Sequence, residues 1–145
     1  MKLALITFVV GLFVVGVVTP AATADTTGLR ASPKRVNFGT RAVGTFTVKG
    51  STITNTTAAD VVVETSAVRM PDQFSWGLLP GQTCPVLAPG ILPAGESCDL
   101  VAGFFPQEFF IGLEDLAVLQ VTATDPSTGA VVDSVQVEFR GVAKA

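Results

Sequence analysis

Gly95-Glu96-Ser97-Cys98-Asp99-Leu100-Val101-Ala102-Gly103-Phe104-Phe105-Pro106 opens on a turn residue, runs through a cysteine into an apolar stretch and stops at proline. Side chains of an extended chain alternate between faces. Cys98, Leu100, Ala102 and Phe104 therefore share one face, and Asp99, Val101, Gly103 and Phe105 the other. Apolar residues on both faces predict a strand in the middle of a packed layer, not at its edge. Cys84, the only other cysteine, lies shortly before it.

Outward from this stretch the same period recurs. Val131–Arg140 places Val135, Val137 and Phe139 on one side and Ser134, Gln136, Glu138 and Arg140 on the other. Leu116–Thr124 turns Ala117, Leu119, Val121 and Ala123 inward, and Asp125-Pro126-Ser127-Thr128-Gly129 between the two reads as a hairpin turn. Toward the N-terminus, 34–39 is a short strand with Val36 and Phe38 inward, followed by a turn at Val43-Gly44-Thr45. Phe46–Asn55 is the next strand. Its apolar parity changes between Val48 and Ile53, which predicts a bulge or a crossing between sheets at Gly50. Asp60–Val68 is a β-branched strand. Between Met70 and Gly95, repeated proline and glycine exclude a long regular element, and Phe74 and Trp76 are expected to pin this connection to the core.

No segment after residue 24 holds a 3.6-residue apolar period. About seven short strands separated by turn residues predict an all-β fold: an antiparallel, seven-stranded immunoglobulin-like β-sandwich. The expected organisation is a signal peptide at 1–24, a flexible lead-in at 25–33 and the sandwich at 34–145.

The N-terminal expectation rests on three features. Lys2 is followed by a run of 16 residues, Leu3 to Val18, that is apolar or glycine apart from Thr7, and then by Ala22-Thr23-Ala24. This is the layout of a secretory signal peptide cleaved between Ala24 and Asp25. The run is shorter than the roughly 20 residues of a spanning helix; the alternative is an uncleaved anchor. Removing 24 of the 145 residues leaves 121, one domain's worth, and losing Lys2 takes the net charge from −3 to −4. No membrane span is expected in the mature chain, and no lipid-modified cysteine. Without a basic patch interleaved with aromatics, nucleic acid is not an expected partner.

An exported chain with two cysteines has one possible internal bridge. Cys84–Cys98 would close an apolar, proline-rich loop of about 15 residues, worth roughly 3 kcal/mol on the loop-entropy model. A redox pair would place its cysteines closer together, as in Cys-x-x-Cys.

The residues Val36-Asn37-Phe38-Gly39, Ala42-Val43-Gly44-Thr45, Ser51-Thr52-Ile53-Thr54-Asn55-Thr56 and Asp72-Gln73-Phe74-Ser75 occur in this order. Cys84, Leu92-Pro93-Ala94-Gly95-Glu96-Ser97-Cys98, Phe104-Phe105-Pro106 and Phe139-Arg140-Gly141 follow. In order and spacing this series resembles the ASPM/SPD-2/Hydin (ASH) type of immunoglobulin-like module, including bacterial secreted choice-of-anchor D proteins. The resemblance covers most of the mature chain. It implies a sandwich related to the PapD-like and major sperm protein folds, and a non-catalytic module. Gln107-Glu108-Phe109-Phe110-Ile111 departs from it, because the family carries a short polar turn there.

The chain has no histidine and no tyrosine. Histidine-based nucleophilic arrangements and imidazole metal ligands are therefore excluded, and a disulfide leaves no thiolate. No catalytic, cofactor-binding or metal-binding residue is assigned. The carboxylates Glu96, Asp99, Glu114 and Asp115 are weighed for hydrolysis, but the adjacent pair Glu114-Asp115 would point to opposite faces of a strand. Lys49 and Ser51 share a strand face as solvated residues rather than a dyad. Asn55-Thr56-Thr57 is formally an N-glycosylation acceptor, with a turn asparagine the plainer reading. Phe109, Phe110 and Ile111 form the candidate interaction loop, because an exposed apolar tip marks a partner or membrane contact. The plainer expectation is that two of the three tuck under the sheet. Together these features predict a secreted or envelope-located, non-catalytic module that acts in protein binding or cell-surface assembly, with an unknown protein or envelope component as partner. A membrane-anchored structural subunit and a small carboxylate-dependent hydrolase are the alternatives.

Overall fold

The computed structural model describes residues 28–145. The expected signal peptide and its cleavage point at Ala24 and Asp25 lie outside the described residues. Nine strands follow in order: β1 (Leu29–Ser32), β2 (Arg35–Ala42), β3 (Thr47–Asn55), β4 (Val61–Arg69), β5 (Phe74–Ser75), β6 (Gly90–Leu92), β7 (Ser97–Phe104), β8 (Glu114–Thr124) and β9 (Val131–Lys144). Two of them, β5 and β6, are only two and three residues long. The seven longer strands build the sandwich the sequence predicts.

One sheet has the order β1-β3-β7-β5 and the other β2-β9-β8-β4-β6. The strand over Ser97–Phe104 thus lies inside its sheet, as its two apolar faces require. Its inner face, with β3, β8 and β9, supplies Leu100, Ala102, Phe104, Ile53, Leu119, Val121, Val137 and Phe139, all inaccessible to solvent. At one end of this core four rings meet. Phe104 lies 4.8 Å from Phe74 and 5.5 Å from Phe38, and Phe38 lies 6.5 Å from Phe139, between ring centroids. Such offset and tilted pairs add to the apolar area that each ring buries.

Three expectations need correction. The sandwich is not wholly antiparallel, because β2 runs parallel to β9. Alternation tells which face a residue takes but not which strand lies beside it. The lead-in is not loose through residue 33: Leu29–Ser32 pairs antiparallel with β3, and Leu29 and Ala31 are buried. Two apolar residues in a polar stretch suffice to dock an edge strand. After it the chain crosses to the other sheet at Ser32-Pro33, a cis peptide. Finally, β3 and β7 pair without interruption from Thr47 to Thr54, so Gly50 is neither a bulge nor a crossing. A Cβ there would stand 2.7 Å from Leu100 O and from Val101 Cγ1, so close packing against β7 is what calls for glycine.

Candidate functional site

Pro106 stops β7, since it has no N–H to donate to a further ladder bond. The next residues form a single 3-10 turn, Glu108–Phe110. Phe110 N donates to Gln107 O (3.1 Å) and Leu113 N to Phe110 O (3.0 Å). Gly112, at φ 82°, adopts a left-handed conformation that glycine takes without strain. Its N–H reaches Ala143 O on β9 at 2.9 Å. Gln73, itself fully buried, anchors the other side of the turn. Its Oε1 accepts from Gln107 N (3.0 Å), its Nε2 donates to Asp115 Oδ2 (3.1 Å), and its carbonyl accepts from Phe105 N (2.7 Å). The turn is therefore fixed from three directions: the 73 segment, β9 and its own backbone.

What this fixed turn presents is apolar. Phe109 is 92% exposed, Leu113 58%, Ile111 46% and Phe105 44%; Phe110 is half-buried. The expectation that two of Phe109, Phe110 and Ile111 tuck under the sheet is overturned. The space beneath is already filled by Phe38, Phe74, Phe104 and Phe139, and a close-packed interior has no room for two more large side chains. Phe46 joins the same end of the sandwich: Gly44 N donates to Pro106 O (3.2 Å), and the Phe46 ring lies across Gly103. Sequence reading missed Phe46, Leu113 and the Gln73 anchor. Phe105 could have been found, because its parity already placed it on the outer face of β7.

Sheet edges are the other route by which a sandwich engages a partner, and here several edge groups are already bonded within the chain. The far edge of β7 meets β5 at Phe104 and Gly103. Further along, Val101 N donates to Gln82 Oε1 (2.8 Å), Asp99 N donates to Thr83 Oγ1 (2.7 Å), and Thr83 N and Cys84 N both donate to Asp99 O. On β2, Lys49 Nζ donates to Asn37 O (2.8 Å) and Arg41 Nε to Phe38 O (2.8 Å). On β1, Leu29 N donates to Asp133 Oδ2 (2.8 Å). Beyond β6, Thr65 N donates to Pro85 O (3.2 Å), and a bulge between Ala67 and Arg69 disrupts what is left of the β4 edge.

Cys84 and Cys98 are joined as a disulfide, and both are buried. The bond ties down the segment that covers β7. Beside it an open groove of about 420 Å³ runs between β6 and the start of β7, lined by apolar residues (Val63, Pro85, Ile91, Leu92, Pro93 and Cys98) and by the polar Thr83, Glu96 and Ser97.

The remaining candidates are placed apart from one another. Ser51 Oγ donates to Pro33 O (2.6 Å) while Lys49 reaches Asn37, so the two form no dyad. Glu114 pairs with Arg140 at 3.2 Å, Asp115 holds Gln73, and Asp99 accepts from Thr52 Oγ1 at 3.2 Å. Among the described residues no three acidic or cysteine side chains gather as a metal site, and no helix is long and apolar enough to cross a membrane. Asn55 is fully buried. Its Nδ2 donates to Ala59 O (2.9 Å) and Leu92 O (3.0 Å), and its Oδ1 accepts from Thr57 N and Thr57 Oγ1. The nitrogen that would carry a glycan is thus enclosed in the folded chain.

No protein-family model and no curated protein matches this chain. Its fold is shared with solved structures at low identity. It is similar to the ASH/PapD-like domain 7 of human CEP192, with 15% identity and TM-score 0.60, over 93% of this chain and 99% of that one. It is also similar to WR4, a C. elegans MSP family member, with 12% identity and TM-score 0.54, over 80% and 99%. A third is the E. coli chaperone DraB, with 14% identity and TM-score 0.54, over 79% and 54%. The fold is that of a PapD-like and MSP-like immunoglobulin sandwich.

Proposed function

We propose that this chain is a secreted, non-catalytic immunoglobulin-like module of the cell envelope or exterior that binds protein through the apolar end built around Phe109. The observation that carries this reading is a phenylalanine 92% exposed on a turn held by hydrogen bonds from three directions. An aromatic side chain left in water on a fixed support contributes binding area with little ordering cost on association. The edge groups already bonded on β1, β2 and β7 favour this end over strand addition there. The leader-like N-terminus supports export, and the sequence series from Val36 to Gly141 supports a member of the ASH type of the choice-of-anchor D kind.

The test compares secreted wild-type chain with Phe109→Ser and with Phe109→Ser/Phe110→Ser in cross-linking capture from the native envelope. Both variants are expected to keep the β-rich far-ultraviolet spectrum and to lose the captured partner. Undiminished capture by the folded variants would remove this end from consideration. N-terminal sequencing checks export: Asp25 at the terminus means release, and Met1 means an uncleaved anchor. Turnover of polysaccharide or ester substrates by the purified chain would replace this reading with the hydrolase.

A further inference from the structure

We infer that the loop over residues 85–90 is a second, separate site: a substrate-like loop that offers Leu87 to the apolar primary pocket of a serine endopeptidase and blocks it. Leu87 is 80% exposed, and Ala88 and Pro89 beside it are exposed as well. An exposed leucine by itself means little. What sets this one apart is the frame around it. Both stems of the loop stand on β4, at neighbouring positions of one face: Pro85 O accepts from Thr65 N (3.2 Å), and Gly90 pairs with Val63. The stems also touch each other, since a Cβ at Gly90 would come within 2.7 Å of Pro85 Cγ. Just before the loop, the buried Cys84 is bonded to Cys98 on β7. The chain bends at Val86, Leu87 and Ala88, with Leu87 in the middle of the bend.

This frame leaves the recognition groups of the bend available. Among the described residues no hydrogen bond uses the backbone of Val86, Leu87 or Ala88. Their N–H and C=O groups can therefore pair with an extended enzyme segment, as peptides do when they add to a strand edge. A loop braced by a disulfide and by prolines loses little freedom on docking, and that ordering is a large part of what opposes capture. Residues 85–91, Pro-Val-Leu-Ala-Pro-Gly-Ile, carry no charge. A pocket that selects Lys or Arg through a carboxylate finds no partner there, whereas an apolar slot accepts Leu87.

The same frame turns cleavage into inhibition. Attack by the enzyme's serine oxygen on the Leu87 carbonyl breaks the Leu87–Ala88 bond, and the serine proton passes through the general base to the Ala88 nitrogen. In an ordinary peptide the new amine diffuses away. Here Ala88 is held near β4 through Gly90 and β6, and Cys84–Cys98 joins the two pieces. The amine stays beside the acyl group and re-forms the bond, so turnover is slow while the pocket stays filled.

The test sets the mature secreted chain against chymotrypsin, elastase, subtilisin and trypsin, each read on a chromogenic peptide. At least one of the first three should be inhibited with a constant of about 1 μM or below, and trypsin should not. Prolonged incubation should give a single cut at Leu87–Ala88, with two pieces that separate only after reduction. Leu87→Asp should weaken inhibition about 100-fold, as loss of a buried anchor does, and Leu87→Arg should move it to trypsin. Position 87 is exposed, so both variants should fold. Phe109→Ser should inhibit as wild type does, because the apolar end takes no part. No inhibition of any of the three at about 100 μM would overturn the inference. So would inhibition that survives Leu87→Asp, or cleavage of the loop as fast as that of an unconstrained peptide with the same sequence.

Discussion

Phe104 on β7 lies directly over the Gly141 backbone on β9: a Cβ at residue 141 would come within 2.5 Å of the ring. Gly141 faces the core between Phe139 and Ala143, and its missing side chain is the space the ring occupies. Phe104 is fully buried and in contact with Phe38 and Phe74, so the ring has nowhere to retreat. Gly141→Ala should therefore destabilise the fold by about 1–3 kcal/mol, the usual effect of overpacking. Urea unfolding should show a lower midpoint with an unchanged slope. Adding Phe104→Leu to Gly141→Ala should recover part of the loss, a coupling expected only for residues in contact.

The Cys84–Cys98 bond closes a loop with a sequence separation of 14, over the segment whose Gln82 and Thr83 side chains cover the β7 edge. Replacing both cysteines by alanine should lower stability by about 3 kcal/mol on the loop-entropy model. The loss should be local before it is global. Hydrogen exchange should accelerate first at the Asp99 and Val101 amides, which rely on Thr83 and Gln82, and much less at β7 groups bonded to β3. Uniform acceleration along β7 would count against the bond as a clasp on that edge.

Strand faces were legible in this sequence wherever polar and apolar residues alternate cleanly. Val135, Val137 and Phe139 are buried as the pattern requires, and Ala117, Leu119, Val121 and Ala123 repeat it on β8. Legibility failed where a residue's reason lies on another strand. Gly50 is set by Leu100 and Val101, and the parity change around it has a different origin. Phe46 and Val48 lie on the outer face, where the Phe46 ring covers Gly103. At Phe109 the sequence favoured burial of two of the three apolar residues, whereas Phe109 and Ile111 are exposed. How much room lies beneath a sheet depends on four phenylalanines distant in sequence.

Asn55 supports a prediction about both stability and modification. Its side chain links the β3–β4 turn to Leu92, using both amide hydrogens and accepting twice from Thr57. Asn55→Ala leaves a buried carbonyl at Leu92 without that donor, and a loss of about 2–4 kcal/mol is expected from the removed bonds and the orphaned acceptor. Expressed in a host that glycosylates Asn-x-Thr, the folded, secreted chain should carry no glycan at Asn55. Its mass should then be the same before and after glycosidase treatment.

Gln73 and Phe109 should separate stability from binding. Phe109→Ser changes a residue 92% exposed, so the unfolding free energy should shift by no more than about 0.5 kcal/mol, the usual range for surface positions. Gln73→Leu removes a buried amide that holds Gln107 N and Asp115 Oδ2, at an expected loss of about 2–4 kcal/mol. It should also free the turn that presents Phe109. Amide exchange at Gln107 and Phe110 should rise, and association through the Phe109 end should weaken although every apolar side chain there is retained, because ordering the turn would then oppose binding. Equal association by wild type and Gln73→Leu, under conditions where both are folded, would mean that Phe109 works without the fixed turn.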